Sequence, residues 1–146
     1  MSAPFQDVTD AELAVLDVLW KHEDEHAQDQ APGVTIREIC QVLYPRGKAS
    51  EYATVQKLLD RLEAKGCVER RRQSPAHVFF SALSRDELIG RRLNSVAKKV
   101  CGGSLTPLLT HLVQNQELTS EERAALRSML DQFDATKKTR RKGKKK

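Results

Sequence analysis

Residues 50–66, SEYATVQKLLDRLEAKG, place Val55, Leu58, Leu59 and Leu62 at the i, i+3, i+4, i+7 spacing of a single helical stripe. At 100° per residue the opposite side holds Ala53, Gln56, Lys57 and Asp60, with Thr54 and Arg61 on its flank. Gly66 ends that pattern. Two β-prone segments follow, Cys67–Arg72 and His77–Leu83, joined by the turn Gln73-Ser74-Pro75-Ala76. Alternation within them is partial, so the pattern leaves their register open. The change of period across one glycine constrains the fold more than any other feature. A helix that packs by one face and keeps a polar face free must lie beside a ribbon whose approach to the turn carries Arg70, Arg71 and Arg72.

Upstream, Thr9 and Glu12 form a capping box before a largely apolar run. Leu13, Leu16 and Trp20 share one face of this first helix and Val15 and Leu19 an adjacent one, so it is mostly buried and ends near His22–Asp24. A polar loop closes on Pro32-Gly33. Val34 and Thr35 suit a short strand. Thr35 and Glu38 make a second capping box, and Ile36, Ile39, Cys40 and Leu43 give the next helix its buried side. Tyr44-Pro45-Arg46-Gly47 breaks that helix, and Ser50 is expected to cap the third. Helix, short turn, helix with a polar face, then basic hairpin is the winged helix-turn-helix arrangement. Its second helix enters the DNA major groove and its wing meets phosphates or the adjacent minor groove.

Downstream, Ser84 and Glu87 start a fourth helix in which Ile89, Leu93, Val96 and Val100 have the spacing of a helix–helix seam. Cys101-Gly102-Gly103 ends it. Leu105, Leu108, Leu109, Leu112 and Val113 line a fifth helix, with Pro107 in its first turn. Thr119 and Glu122 cap a sixth, striped by Leu126, Met129, Leu130 and Phe133. So few aliphatic groups offset the ordering of these helices poorly when alone. Burial against an identical copy is the expected remedy, with docking back onto the wing domain as the alternative. A two-fold dimer also matches a dyad-symmetric operator. The expected fold is mainly α with a small β wing (α+β). Residues 1–83 form a winged-helix domain, 84–134 a three-helix dimerisation module and 135–146 a disordered basic tail.

Charge is partitioned along the chain. Residues 1–45 carry two basic and nine acidic groups, 46–72 eight and four, 73–103 five and two, 104–134 two and five, and 135–146 eight and none. Positive charge outside the tail therefore peaks on the third helix and the hairpin, the footprint of a polyanion partner. Base contacts are expected from Ala53, Thr54, Gln56 and Lys57, and backbone contacts from Ser50, Tyr52, Arg61, Arg70, Arg71 and Arg72. The N-terminal residues lack a signal-peptide pattern and no apolar run is long enough to span a membrane, which leads to the expectation of a cytoplasmic protein without membrane insertion. Cys40, Cys67 and Cys101 lie in no metal-ligand spacing and read as small buried hydrophobes. His22, Glu23 and His26 match the literal H-E-x-x-H zinc pattern. They sit at a fraying acidic helix end with no third ligand at a recognisable spacing, so neither a catalytic metal nor any other cofactor is expected.

Three blocks in order carry a family resemblance: VTDAELAVLDVLW at residues 8–20, ATVQKLLDRLEAKGCVERRR at 53–72, and GGSLTPLL with ELTSEERAALRSML at the C-terminal end. Over residues 8–133 the chain resembles the penicillinase and methicillin-resistance repressors (BlaI/MecI-type, with copper-responsive CopY-type relatives). The resemblance implies a homodimeric winged-helix repressor on a dyad-symmetric operator, with Ala53, Thr54, Gln56 and Lys57 at base-reading positions and Arg70 to Arg72 on the wing. Leu93, Val96, Val100, Leu105, Leu108, Leu109, Leu112, Leu126, Met129 and Leu130 are the expected dimer contacts. In the β-lactam branch a membrane-bound sensor metallopeptidase cuts an Asn-Phe bond in the dimer domain. No Asn-Phe occurs here, and the nearest equivalent is His111-Leu112. The cysteine cluster of the copper-responsive branch is also absent, and the basic tail extends past the family's usual end.

Overall fold

The computed structural model describes residues 5–26, 32–73, 75–115 and 118–143. The elements are α1 (Asp10–Glu25), α2 (Ile36–Leu43), α3 (Ala49–Ala64), β1 (Val68–Gln73), β2 (Ala76–Ser81), α4 (Arg85–Val100), α5 (Thr106–Gln114) and α6 (Ser120–Gly143). This is the expected mainly helical chain with one small antiparallel ribbon. The chain divides into two compact units, Met1–Leu93 and Asn94–Lys146. The division falls inside α4, not at residue 83. The early turns of α4 belong to the first unit because Leu88 is buried in its core, Arg85 bonds Asp17 at 2.8 Å, and Arg92 bonds Asp7 at 2.8 Å and the Val8 carbonyl at 3.1 Å.

In the first unit the whole apolar stripe of α3 is buried, against Val15, Leu16 and Leu19 of α1, Ile39 of α2 and Phe79 of β2. Ile36, Cys40 and Leu43 of α2 are only partly buried against that cluster. Trp20 lies at its edge and donates its indole N–H to the Leu83 carbonyl at 2.8 Å, which satisfies the one polar atom the ring carries inside.

Two helix starts differ from the capping expected. The Thr9 hydroxyl accepts the Glu12 N–H at 3.2 Å, but the Glu12 carboxylate does not stay at the helix end. It is 1% exposed and accepts from the Lys65 ammonium at 2.7 and 3.0 Å, tying the start of α1 to the end of α3. Helix α3 begins at Ala49, with Lys48 and not Ser50 at the cap. The Glu51 carboxylate reaches back to accept the Lys48 N–H at 2.8 Å. An ammonium side chain has no lone pair to return the bond, so this cap is one-sided. Ser50 lies within the first turn, its carbonyl accepting from the Thr54 hydroxyl at 3.0 Å.

The ribbon's register runs from Val68 opposite Ser81 to Gln73 opposite Ala76. Its strands are short, and residue 74 of the expected turn lies outside the described residues. Phe79 is buried toward the core, while Val78 is buried on the other face. A Cβ on Gly33 would sit 2.6 Å from the Val78 Cβ and 2.9 Å from the Phe80 ring. Double-sided burial explains why His77-Val78-Phe79-Phe80 shows so little alternation. The expected short strand reduces to a bridge at Val34, which exchanges two backbone bonds with Phe79 at 3.0 and 2.8 Å.

Beyond α1, the part of the expected loop at 27–31 lies outside the described residues. The Glu23 carboxylate accepts the Ser81 N–H at 2.8 Å and its hydroxyl at 2.6 Å, which pins the end of α1 to β2. His22 Nε2 lies 2.8 Å from the Pro32 carbonyl and His26 Nδ1 2.8 Å from the His22 carbonyl. The residues of the zinc-like pattern thus engage the Pro32 and His22 carbonyls and Ser81. Cys67 is buried, whereas Cys40 and Cys101 are only half-buried. Burial pushes the Cys67 thiol up, and burial with the nearby Glu51 charge does the same to Cys40.

In the second unit, the Thr119 hydroxyl accepts the Glu122 N–H at 3.1 Å and the Glu122 carboxylate accepts the Thr119 N–H at 3.3 Å, a complete capping box. Helix α6 does not stop at residue 134 but continues to Gly143. After Asp134 the chain is Ala, Thr, Lys and Arg up to Gly143. Lysine, arginine and alanine are good helix formers, and cations suit the negative end of the helix dipole. Residues 144–146 of the expected tail lie outside the described residues.

Candidate nucleic-acid interface

With Val55, Leu58, Leu59 and Leu62 turned inward, helical geometry leaves Ala53, Thr54, Gln56, Lys57 and Arg61 exposed along the other side of α3. Tyr52 is exposed at its start (48%). These are the expected base and backbone contacts, and the fold brings them to one surface. Thr54 is partly committed, since its hydroxyl bonds the Ser50 carbonyl. Gln56, Lys57 and Arg61 have no side-chain bond to another described residue, so their donors are available to a partner.

The hairpin arginines do not behave as a set. Successive strand residues point to opposite faces, so Arg70 follows Val68 onto the face that packs toward α3. There its guanidinium lies 2.6 Å from Asp60 Oδ1 and 3.3 Å from Glu63 Oε2, and 5.1 Å from the centroid of the Phe79 ring. The Nε atom is buried and not aligned for a hydrogen bond, so its contact with Glu63 is an ion pair only. Arg71 points the other way, 3.2 Å from Glu69 and 4.3 Å from the Phe80 ring centroid. Arg72 is exposed and makes no ion pair with a described residue. Arg70 is therefore a clamp between wing and helix, while Arg71 and Arg72 face solvent.

Between α3 and the wing lies a cleft of about 440 Å³ whose polar lining includes Thr35, Arg37, Tyr52, Gln56, Arg70 and His77. Arg37 and His77 carry no signal of their own in the sequence. They lie 19 and 21 residues from Gln56, and the Val34–Phe79 bridge together with the shared core brings α2 and β2 beside it.

The second unit presents a different surface. Val96, Val100, Leu105, Leu109, Leu112, Met129 and Leu130 are exposed, Leu108 and Leu126 are half-buried, and no residue of α5 is buried. On the first-unit part of α4, Leu93 is 48% exposed. His111 and Leu112 sit in the last turns of α5, where His111 contacts the Asn115 side-chain amide. Among the described residues no group of three or more histidine, cysteine, aspartate or glutamate side chains converges to hold a metal ion. No described helix is long and apolar enough to cross a membrane.

The sequence profile described as "Penicillinase repressor" matches residues 8–132. The chain belongs to the penicillinase repressor family. It is 25% identical over 133 residues to the penicillinase repressor of Bacillus licheniformis, covering 90% of this chain and 94% of that one. It is 31% identical over 127 residues to the transcriptional regulator BlaI of Mycobacterium tuberculosis, covering 86% and 84%. A crystal structure of MepR, a transcription regulator of the Staphylococcus aureus efflux pump MepA, aligns with TM-score 0.44 at 17% identity over 89% of this chain and 80% of that one. As a member of the penicillinase repressor family the protein is a transcriptional repressor and not an enzyme.

Proposed function

We propose that the protein is a homodimeric winged-helix repressor that reads a dyad-symmetric operator, with α3 in the major groove and the wing on the backbone. The observation that carries this reading is the row of uncommitted donors on α3, Gln56, Lys57 and Arg61, set over a fully buried stripe and beside the exposed Arg71 and Arg72. Gln56 and Lys57 match the side chains that read adenine and guanine edges, and Ala53 with the Thr54 methyl would meet thymine methyl groups. Ser50, Tyr52, Arg61, Arg71 and Arg72 hold the phosphates. Arg70 pairs with both Asp60 and Glu63 and cancels one of the two negative charges that would repel phosphate. That favours DNA reading over a winged-helix adaptor that binds another protein.

Fluorescence anisotropy with the DNA upstream of the protein's own gene is the direct test. Binding should prefer that sequence over a scrambled duplex and weaken with a log–log salt slope of magnitude about 6–9. Lys57→Ala should cost roughly 1–3 kcal/mol on the preferred sequence and little on the scrambled one. Arg71→Ala should weaken both about equally and reduce the slope by about 1. Salt-insensitive binding without sequence preference would remove the proposal.

Release of DNA by a membrane-bound sensor metallopeptidase belongs to the same reading. The bond that corresponds, His111-Leu112, lies within helix α5. Proteases hold their substrates extended, so cutting requires α5 to unwind, and its lack of buried residues supports that. Intact-mass analysis of protein from induced cells checks it: a fragment ending at His111 is expected, and uncut protein throughout excludes cleavage there.

A further inference from the structure

We infer that the cationic end of α6 is a second DNA-contacting element, one that binds the sugar–phosphate backbone without regard to sequence and supplies most of the protein's long-range attraction to DNA. The inference rests on the repressor reading above. The charge balance is its starting point. Eight of the 25 basic groups lie in residues 135–146, with no acid among them, so removing that stretch changes the formal net charge from +5 to −3. A protein whose remaining body is net negative gains little encounter rate from its overall charge. The family match covers residues 8–132, and this segment follows it.

The form of the addition narrows the partner. The backbone of α6 continues as helix to Gly143, and its apolar stripe of Leu126, Met129, Leu130 and Phe133 ends before the basic run starts. In sequence, the segment from Thr136 to Gly143 consists of Thr136, Thr139 and Gly143 with five Lys and Arg residues between them, and holds no apolar side chain. A helix that inserts into a lipid surface needs an apolar face opposite its charges, and this segment has none. A densely cationic segment with no apolar residue to insert suits a partner that presents closely spaced phosphates, as a nucleic acid does. Like charges at i, i+3 and i, i+4 also destabilise a free helix. Phosphate neutralisation removes that repulsion, so DNA should stabilise this end of α6.

The test compares the full chain with one ending at Asp134 and with a full-length variant in which the eight tail Lys and Arg residues are replaced by Gln. Each is titrated by anisotropy onto upstream DNA, onto a scrambled duplex of equal length, and onto phosphatidylglycerol vesicles, over a range of KCl. If about five of the dimer's tail groups engage phosphates, both altered chains lose about 4–5 from the magnitude of the dimer's salt slope. Affinity for the scrambled duplex should fall about 100-fold or more at 0.1 M salt, while the ratio of upstream to scrambled affinity stays unchanged. Equal slopes and affinities for all three proteins overturn the inference, as does a tail-dependent affinity that is greater for vesicles than for duplex at the same salt. If none of the proteins prefers the upstream sequence, the operator reading fails, and the slopes still decide the tail.

Discussion

Arg70 controls how much negative charge α3 shows to a phosphate backbone. Its partners are accessible, with the Asp60 side chain 55% exposed, so the pair itself is worth at most about 1 kcal/mol of stability. Its consequence for binding is larger, because Asp60 and Glu63 lie beside the free donors of α3. Arg70→Ala should leave the fold within about 1 kcal/mol of wild type yet weaken binding to every duplex. Adding Asp60→Asn to that variant should recover part of the loss. Denaturation and anisotropy on the same samples separate the two effects, and unchanged DNA affinity in Arg70→Ala would show that the carboxylates do not face the phosphates. The opposite case is Glu12, 1% exposed and held by Lys65. Lys65→Met strands a buried carboxylate and should cost about 3–5 kcal/mol, most of it restored by adding Glu12→Leu. A cost below about 1 kcal/mol in urea denaturation would mean that Glu12 reaches water when unpaired. Neither pair is legible in the sequence. Asp60 and Arg70 are joined across a turn, Glu12 and Lys65 across 53 residues, and a Ser/Thr-x-x-Glu pattern cannot tell a capping carboxylate from one drawn inward.

At the scale of elements, helices were legible wherever a stripe and a cap coincided, as in α1, α2 and α6. The start of α3 differs from the expectation because Ser50 is the better capping residue by type, whereas the Glu51 carboxylate can reach the Lys48 N–H whatever side chain sits there. The far end of α6 departs from the expected disordered tail because Lys, Arg and Ala carry a helix propensity that a run of like charge hides. The ribbon was legible as a pair of strands but not in register, since register is set by burial on one face and β2 is buried on both. What pins it is the Val34–Phe79 bridge and the space left by Gly33. Gly33→Ala should therefore act on the wing although it lies outside the hairpin. The added methyl meets the Val78 side chain at 2.6 and 2.8 Å, and the resulting overpacking should cost about 1–3 kcal/mol. A thermal melt checks this. An unchanged midpoint would show that residues 32–34 can move off β2, and wing-dependent DNA binding should fall with stability otherwise.

For the molecule as a whole, the proposed dimer explains why α4, α5 and α6 keep aliphatic side chains in solvent. Leu109, Leu112, Val113, Leu118, Leu126 and Met129 line an apolar groove of about 270 Å³ in the second unit, and Leu109 is 52% exposed there. Exposure in the single chain makes the dimer separable from the fold by one substitution. Leu109→Glu at an exposed site alters the stability of an isolated chain by about 0.5 kcal/mol or less. If a second copy covers that site, the same carboxylate must be desolvated at the interface, at a cost of several kcal/mol. A cost of about 3 kcal/mol raises the dimer dissociation constant roughly a hundredfold. Sedimentation equilibrium should therefore find Leu109→Glu monomeric at concentrations where the wild type is dimeric, with helical circular dichroism retained. Operator affinity should fall with it, because two half-sites then bind as independent events and lose the effective concentration that linkage supplies. Affinity for a single half-site should not change, since α3 and the wing lie wholly in the first unit. A folded Leu109→Glu variant that remains dimeric would place the interface away from this groove and leave its apolar lining to another partner.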